Sequence, residues 1–340
     1  MELSRRGFIG GTLAAATATK AFAAEPVPAY DLKDYKTGAL GKIVGELPPG
    51  RYDSHVHAYP GDPDPAFYAG KLAEAGFRGG VVLSEHPDPT NGSPAPDPEM
   101  AMDKAIAWAS GSPTIYPYYT INPILDNACD LVDMAVEKGM YGFKCLPGRY
   151  FPGDPRAIKA YEKMAKAGKP VLFHSGILWD GRPSSKCTRP GNWEELIDIP
   201  KLRFACAHIS WPWCEECVAV YGKFLNALTR ASWARAEMFV DTTPGTPRRC
   251  RKSALEMLYG YDYDMNERVM FGTDCRTNTY AVAWAKEWLE RDDSILAPLG
   301  KSVVDMDSYY RRAFQRFLFG GGGERRLPTP DGTKAVRTES

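Results

Sequence analysis

The chain reads as an α/β protein, a (β/α)8 TIM barrel with a C-terminal capping helix, on three observations. Eight apolar, strand-like runs alternate with amphipathic helical stretches, the rhythm of a parallel sheet. No Gly-x-Gly-x-x-Gly follows the first run, which argues against the open dinucleotide-binding sheet that competes on periodicity. All five histidines fall at or just after the C-terminal end of such a run, the rim where barrel enzymes keep their chemistry.

The predicted strands are Arg51–His57, Gly79–Glu85, Thr114–Ile121, Tyr141–Leu146, Pro170–Ser175, Leu202–His208, Glu237–Thr242 and Arg268–Asp274. Helical spacing is predicted for Phe67–Glu74, Glu99–Ser110, Asn127–Lys138, Pro155–Lys166, Pro212–Ser232, Ser253–Tyr259 and Thr279–Glu290. After the fifth strand, "RPSSKCTRPGNWEELIDIP" reads as loop with one short helix at best. "DMDSYYRRAFQRFLFG" then spaces its apolar residues as a helix able to cap the barrel. The domain therefore runs over 51–320, after a Pro- and Gly-rich extended arm at 24–50 and before a flexible polar tail at 321–340.

Residues 1–23 read as a twin-arginine signal peptide. Arg5-Arg6 precede a mild Ala/Gly/Thr-rich stretch, and Ala21-Phe22-Ala23 supplies a small-x-small cleavage pattern. Lys20 interrupts the run, which is too short and too weakly apolar to span a bilayer. The expected location is the periplasm, the expected partner of the leader is the twin-arginine export machinery, and no membrane attachment should persist after cleavage. Charge is balanced at 42 basic and 42 acidic residues, leaving 39 against 41 after cleavage, so nucleic acid is not an expected partner. A small-molecule substrate is expected, with a homodimer allowed for. Eight cysteines include a lone Cys214-x-x-Cys217 without a second pair at zinc-ribbon spacing, and their pairing stays open.

The stretch "DSHVHAYP" places His55 and His57 two residues apart, on one face of a strand, where two imidazoles suit a divalent metal such as zinc. His86 follows the second strand, His174 ends the fifth, His208 the sixth and Asp274 the eighth. Singly, His174 and His208 could be satisfied core residues, and Asp274 could cap the next helix. Lys144 lies in the apolar strand "GFKCL" and should point into the barrel, where a buried lysine needs a partner.

With "YDSHVHAY", "GFKCLP", "KPVLFHSG", "FACAHISW", "RVMFGTDC" and the closing "FQRFLFG", the chain resembles the amidohydrolase superfamily, in its amidohydrolase-related ("amidohydrolase 2") branch, from about Arg51 to Gly320. The resemblance implies His55, His57, His174 and Asp274 as ligands of a divalent metal: one zinc, with manganese, cobalt or iron as alternatives and a second ion less expected. It implies Asp274 as the group that takes a proton from bound water, and His208 as the residue that polarises the scissile carbonyl or, in binuclear members, binds a second metal. Lys144 is either an unmodified cation serving the substrate or a carboxylated bridge between two metals, the first being favoured. The implied activity is hydrolysis of an amide, lactam, ester or lactone by a metal-activated water. The alternative is non-oxidative decarboxylation of an aromatic or unsaturated acid, and a barrel kept only for binding is a third reading. For substrate contacts the candidates are His86, Arg149, Arg276 and Trp211, the last beside Trp179 and Trp213; each has an ordinary loop or surface reading as well.

Overall fold

Every pairing in the main sheet is parallel, as buried apolar strands joined by helical crossovers require. The computed structural model describes residues 27, 29–88, 94–231, 235–300 and 303–321; the segment expected to be a leader (1–23) and most of the expected C-terminal tail lie outside the described residues. Strands β1 (Arg51–Asp53) and β2 (Val56–His57) are two pieces of the first predicted run. Six more follow: β3 (Phe77–Leu83), β4 (Ile115–Thr120), β5 (Gly142–Cys145), β6 (Val171–Phe173), β7 (Arg203–Cys206) and β8 (Glu237–Asp241). The eighth run, predicted as Arg268–Asp274, holds β9 (Val269–Met270) and is continued just past its predicted end by β10 (Cys275–Arg276).

The hydrogen-bonded order begins at β10 and ends at β9, which continue one another along the chain, so the sheet closes on itself. Across the seam Ser54 N–H donates to the Phe271 carbonyl at 2.9 Å, and Asp274 N–H to the His55 carbonyl at 3.0 Å. The likeness to a TIM barrel is therefore one of connectivity as well as composition.

Helices α1 (Pro65–Glu74), α2 (Pro98–Ala109) and α4 (Pro155–Lys166) start alike. An aspartate (Asp64, Asp97 or Asp154) caps the first turn by accepting from a backbone N–H, and proline follows it. The other outer helices are α3 (Ala128–Glu137), α5 (Cys214–Ala231), α6 (Arg251–Gly260) and α7 (Val282–Leu296). Between β6 and β7 the chain makes only a 3-10 turn, Pro190–Leu196, matching the loop expected there.

On β5, Phe143 and Cys145 pack outward among the helices, with Tyr161 and Trp193 in the same cluster, so Lys144 faces the barrel. Inside, Tyr52, Val81, Tyr116, Leu172, Phe239 and Met270 fill the lower half. The floor is closed by α8 (Ala313–Phe319) and by the segment before β1. That segment is less extended than its composition suggests: it makes 3-10 turns at Leu32–Asp34 and Ala39–Gly41 and buries Ile43 and Leu47. Phe314 of α8 stacks on Tyr52 with ring centroids 5.5 Å apart, and Leu47 N–H donates to Gln315 Oε1 at 2.8 Å. The histidines lie at the opposite end from this floor, where His57 and Asp274 are partly exposed.

Phe314→Ala should therefore cost about 3–5 kcal/mol of unfolding free energy, the usual loss for a buried aromatic. Urea denaturation measures it; a loss below 1 kcal/mol would mean that α8 is not an integral floor.

Candidate metal centre

The break between β1 and β2 is caused by Asp53. Its buried carboxylate accepts from His55 N (3.2 Å), Thr273 N (2.9 Å), Thr273 Oγ1 (2.6 Å) and the Tyr280 hydroxyl (2.7 Å). Burial pushes this carboxyl up to about 7, and those four donors oppose the rise. The effect is to clamp the first strand end to the last, setting His55 beside Asp274.

His57 Nε2 then lies 3.1 Å from Asp274 Oδ1, and His55 Nε2 lies 3.6 Å from the same oxygen. These three side chains offer ligand atoms all within 4.8 Å of one another. His55 is 1% exposed, whereas His57 and Asp274 are each 36% exposed and face the open end. Burial raises the Asp274 carboxyl, yet the hydrogen bond from His57 and the nearby imidazoles hold it well below the usual carboxylate range.

The second nitrogen of His55 is engaged by Asp241, at the end of β8. Nδ1 lies 3.0 Å from Asp241 Oδ2, with both side chains fully buried. Asp241 also accepts from Thr243 N (2.6 Å) and from the Thr243 hydroxyl, both on Oδ1. Burial and the Lys144 cation pull the His55 pKa down to about 3, so its ring is neutral and carries one proton. With Asp241 held ionised by its donors, that proton sits on Nδ1. The Nε2 lone pair is thereby aimed into the chamber, where Lys144 Nζ approaches it at 3.3 Å. Burial lowers the Lys144 ammonium to about 8 against the pull of Asp241 and Asp274.

His208 and His174 extend the row of rings. Centroid separations are 5.4 Å from His55 to His208 and 4.9 Å from His208 to His174. The structure thus places His174 outside the close trio, reached through His208. Each ring is oriented by a main-chain carbonyl: His208 Nδ1 lies 3.3 Å from that of Thr243, and His174 Nε2 lies 3.3 Å from that of Ile177. Backbone strain accompanies this placement. Asp274 (φ 61°) and the consecutive His208, Ile209 and Ser210 (φ 61°, 50° and 54°) are left-handed, at about 1–2 kcal/mol per residue. The turn fits because Gly245 lies beneath it; a Cβ there would be 2.8 Å from that of His208.

The other expected residues sit around the rim. His86 is held in its own loop, Nδ1 accepting from Asp88 N–H at 2.9 Å, and burial lowers its pKa. Arg149 is 64% exposed, with Nη1 3.8 Å from Asp88. Arg276 is exposed on β10, where its backbone pairs with that of His57, and its side chain makes no hydrogen bond or ion pair among the described residues. Trp211 stacks on Trp179 at 6.3 Å between centroids, while Trp213 lies against Arg189. All eight cysteines are free.

Sequence reasoning missed Asp53, Asp241 and Thr243. The signal for Asp241 was present: it ends an apolar strand just as Asp274 does.

No family model and no curated protein matches the chain. Solved structures do resemble it in fold. A probable 2-pyrone-4,6-dicarboxylic acid hydrolase from Acinetobacter baumannii, with citric acid bound, has a TM-score of 0.52 at 14% identity, over 80% of this chain and 99% of that one. A 2,6-dihydroxybenzoate decarboxylase from Rhizobium has a TM-score of 0.51 at 13% identity, over the same 80% and 99%. At such identities the likeness establishes the barrel fold and not the reaction.

Asp241→Asn tests the tautomer argument. Thr243 keeps the amide oxygen at the Oδ1 position, so the amide NH2 faces His55 Nδ1 and drives its proton to Nε2. Nitrogen-15 NMR of His55 should show the switch, and metal affinity should fall about 10- to 100-fold, as when a ligand's partner is lost. An unchanged tautomer would contradict the assignment.

Proposed function

We propose that this chamber is the active site of a metal-dependent hydrolase of the amidohydrolase-related kind, cleaving an amide, lactam, ester or lactone bond of a small molecule. The observation that carries the reading is the convergence of His55 Nε2 and His57 Nε2 on one oxygen of Asp274, with the far nitrogen of His55 committed to Asp241. Tetrahedral ligands at about 2.1 Å from a zinc ion lie roughly 3.4 Å apart. Separations of 3.1 and 3.6 Å bracket that value, and the donor set of neutral imidazoles and a carboxylate suits zinc, manganese, cobalt or iron. His55, His57 and Asp274 would hold the ion, with His174 completing the set from the adjoining wall.

When bound, the ion supplies a Lewis acid and an acidified water. The chain's own groups supply the remaining functions. Asp274, ionised and partly exposed, accepts the proton of the attacking water at a carboxylate oxygen and later delivers it to the leaving group. His208, with Nδ1 donating to the Thr243 carbonyl, leaves Nε2 an acceptor while the ring is neutral, so it polarises the substrate carbonyl only as the imidazolium, with both nitrogens donating. Once His55 Nε2 is committed to the ion, Lys144 loses the one side-chain hydrogen bond it makes among the described residues. We read it as an unmodified ammonium that turns to the substrate's developing oxyanion. The floor and the buried walls exclude bulk water from all but the open end.

Decarboxylation has specific support too: the Rhizobium decarboxylase shares the fold as closely as the hydrolase does, and a buried ammonium suits a substrate carboxylate. Turnover in oxygen-18 water separates the two. Label in the product marks hydrolysis, and CO2 release without label marks the alternative. The twin-arginine leader extends the proposal to a periplasmic enzyme loaded before export.

Strong chelation should abolish turnover, and zinc, manganese or cobalt should restore it. Asp274→Asn should lower kcat by about 10²- to 10⁴-fold, the usual worth of a general base. Undiminished turnover by metal-stripped protein would overturn the mechanism.

A further inference from the structure

Three loops on the histidine-bearing rim, those after β3, β5 and β6, meet at one oxygen atom. Asp88 follows β3, Arg149 follows β5 and Arg182 follows β6. Arg182 is held in place by Asp180: its backbone N–H donates to Oδ1 at 3.1 Å and its Nε to Oδ2 at 2.7 Å, with the Asp180 side chain 4% exposed. The free edge of this guanidinium is thereby turned toward Asp88, Nη1 lying 3.4 Å from Oδ2. Arg149 Nη1 lies 3.8 Å from the same oxygen. Charge-assisted N–H···O bonds measure about 2.7–2.9 Å, so both contacts to Asp88 are loose, and Arg182 holds a tight partner, Asp180, on its Nε edge alone.

Asp88 is a weak occupant. Its backbone N–H is tied to His86 Nδ1, but its side chain is 42% exposed and can turn out to water. Loose, solvent-exposed ion pairs contribute little, so displacement costs little. His86 precedes Asp88 in the loop that leaves β3, and the last residue of β3, Leu83, pairs with His57, so this loop starts beside the metal trio.

We propose that Arg149 and Arg182 form a carboxylate subsite in which the acid group of a substrate replaces Asp88. The proposal rests on the chamber being catalytic and adds the substrate class: a small organic acid whose carboxylate is gripped at the rim while its scissile bond reaches past His86 to His57 and Asp274. The planar, two-oxygen geometry of a carboxylate matches two guanidinium edges better than a single aspartate oxygen does.

The test titrates benzoate into the metal-loaded enzyme, with benzamide and inorganic phosphate as controls. Fluorescence of the Trp179–Trp211 pair reports binding, since Trp179 adjoins Asp180. Benzoate should bind saturably and benzamide should not. Arg182→Gln should weaken benzoate about tenfold, the scale expected for one charge-assisted contact, whereas Asp88→Asn should strengthen it severalfold by removing the internal competitor. The gain in Asp88→Asn keeps the test decisive even if Arg182→Gln folds poorly. No saturable benzoate signal, equal binding of benzamide or phosphate, or an unaltered affinity in Asp88→Asn would overturn the subsite. Metal content, measured alongside, separates the two readings. A wild type that binds no metal refutes the catalytic chamber, whereas normal metal with no benzoate response refutes the subsite alone.

Discussion

The state of one proton on the buried His55 ring governs what this chamber can do. A neutral imidazole has one donor and one acceptor, and the chamber needs the acceptor on Nε2. Asp241 secures this by taking the Nδ1 proton as a hydrogen bond at 3.0 Å, itself kept ionised against full burial chiefly by His55, with His208 and Thr243 adding to the effect. Remove that carboxylate and the ring is free to turn its proton inward, which withdraws the most buried member of the trio from His57 and Asp274. Geometry elsewhere in the site follows from this choice, including the short approach of Lys144 to the lone pair.

Asp241 is in turn held by a second buried network. Arg251 grips Asp292 with Nε at 2.8 Å and Nη2 at 2.6 Å, both side chains wholly buried, and donates a further hydrogen bond to the Thr242 carbonyl. The Tyr309 hydroxyl joins Asp292 at 2.6 Å and Thr242 Oγ1 at 2.7 Å. Burying such a pair brings little net stability. Its consequence is orientation: the strand end carrying Asp241 and Thr243 is tied to α6, α7 and the turn before α8. A Cβ on Gly272 would lie 2.6 Å from Thr243 Oγ1 and 2.8 Å from the Cβ of His55, so the last strand must pass this cluster without a side chain.

Much of the barrel could be read from the chain because parallel buried strands appear as unbroken apolar runs, and the eight predicted runs coincide with the strand positions found. The Asp-Pro steps that open three helices are equally local, yet two of those helices, predicted from Phe67 and Glu99, begin at Pro65 and Pro98. The breaks at Ser54 and Phe271 were not readable, since they arise from Asp53 bonding Thr273, 220 residues away. The same distance problem hid Asp241, whose partner His55 is 186 residues distant. The histidines showed because their type is scarce and their positions all fall at strand ends. Which of them come together is a matter of ångströms that strand-end positions do not carry: His55, His57 and Asp274 form the close trio, and His174 packs beside His208.

The account turns on a single cation gathered by side chains from opposite ends of the sequence. Equilibrium dialysis of stripped protein against buffered zinc, followed by X-ray absorption of the loaded sample, examines it directly. One ion per chain with nitrogen and oxygen neighbours at about 2.0–2.1 Å is the predicted result, lost on replacing His55 by alanine. Equal, sub-stoichiometric zinc in wild type and variant would contradict it.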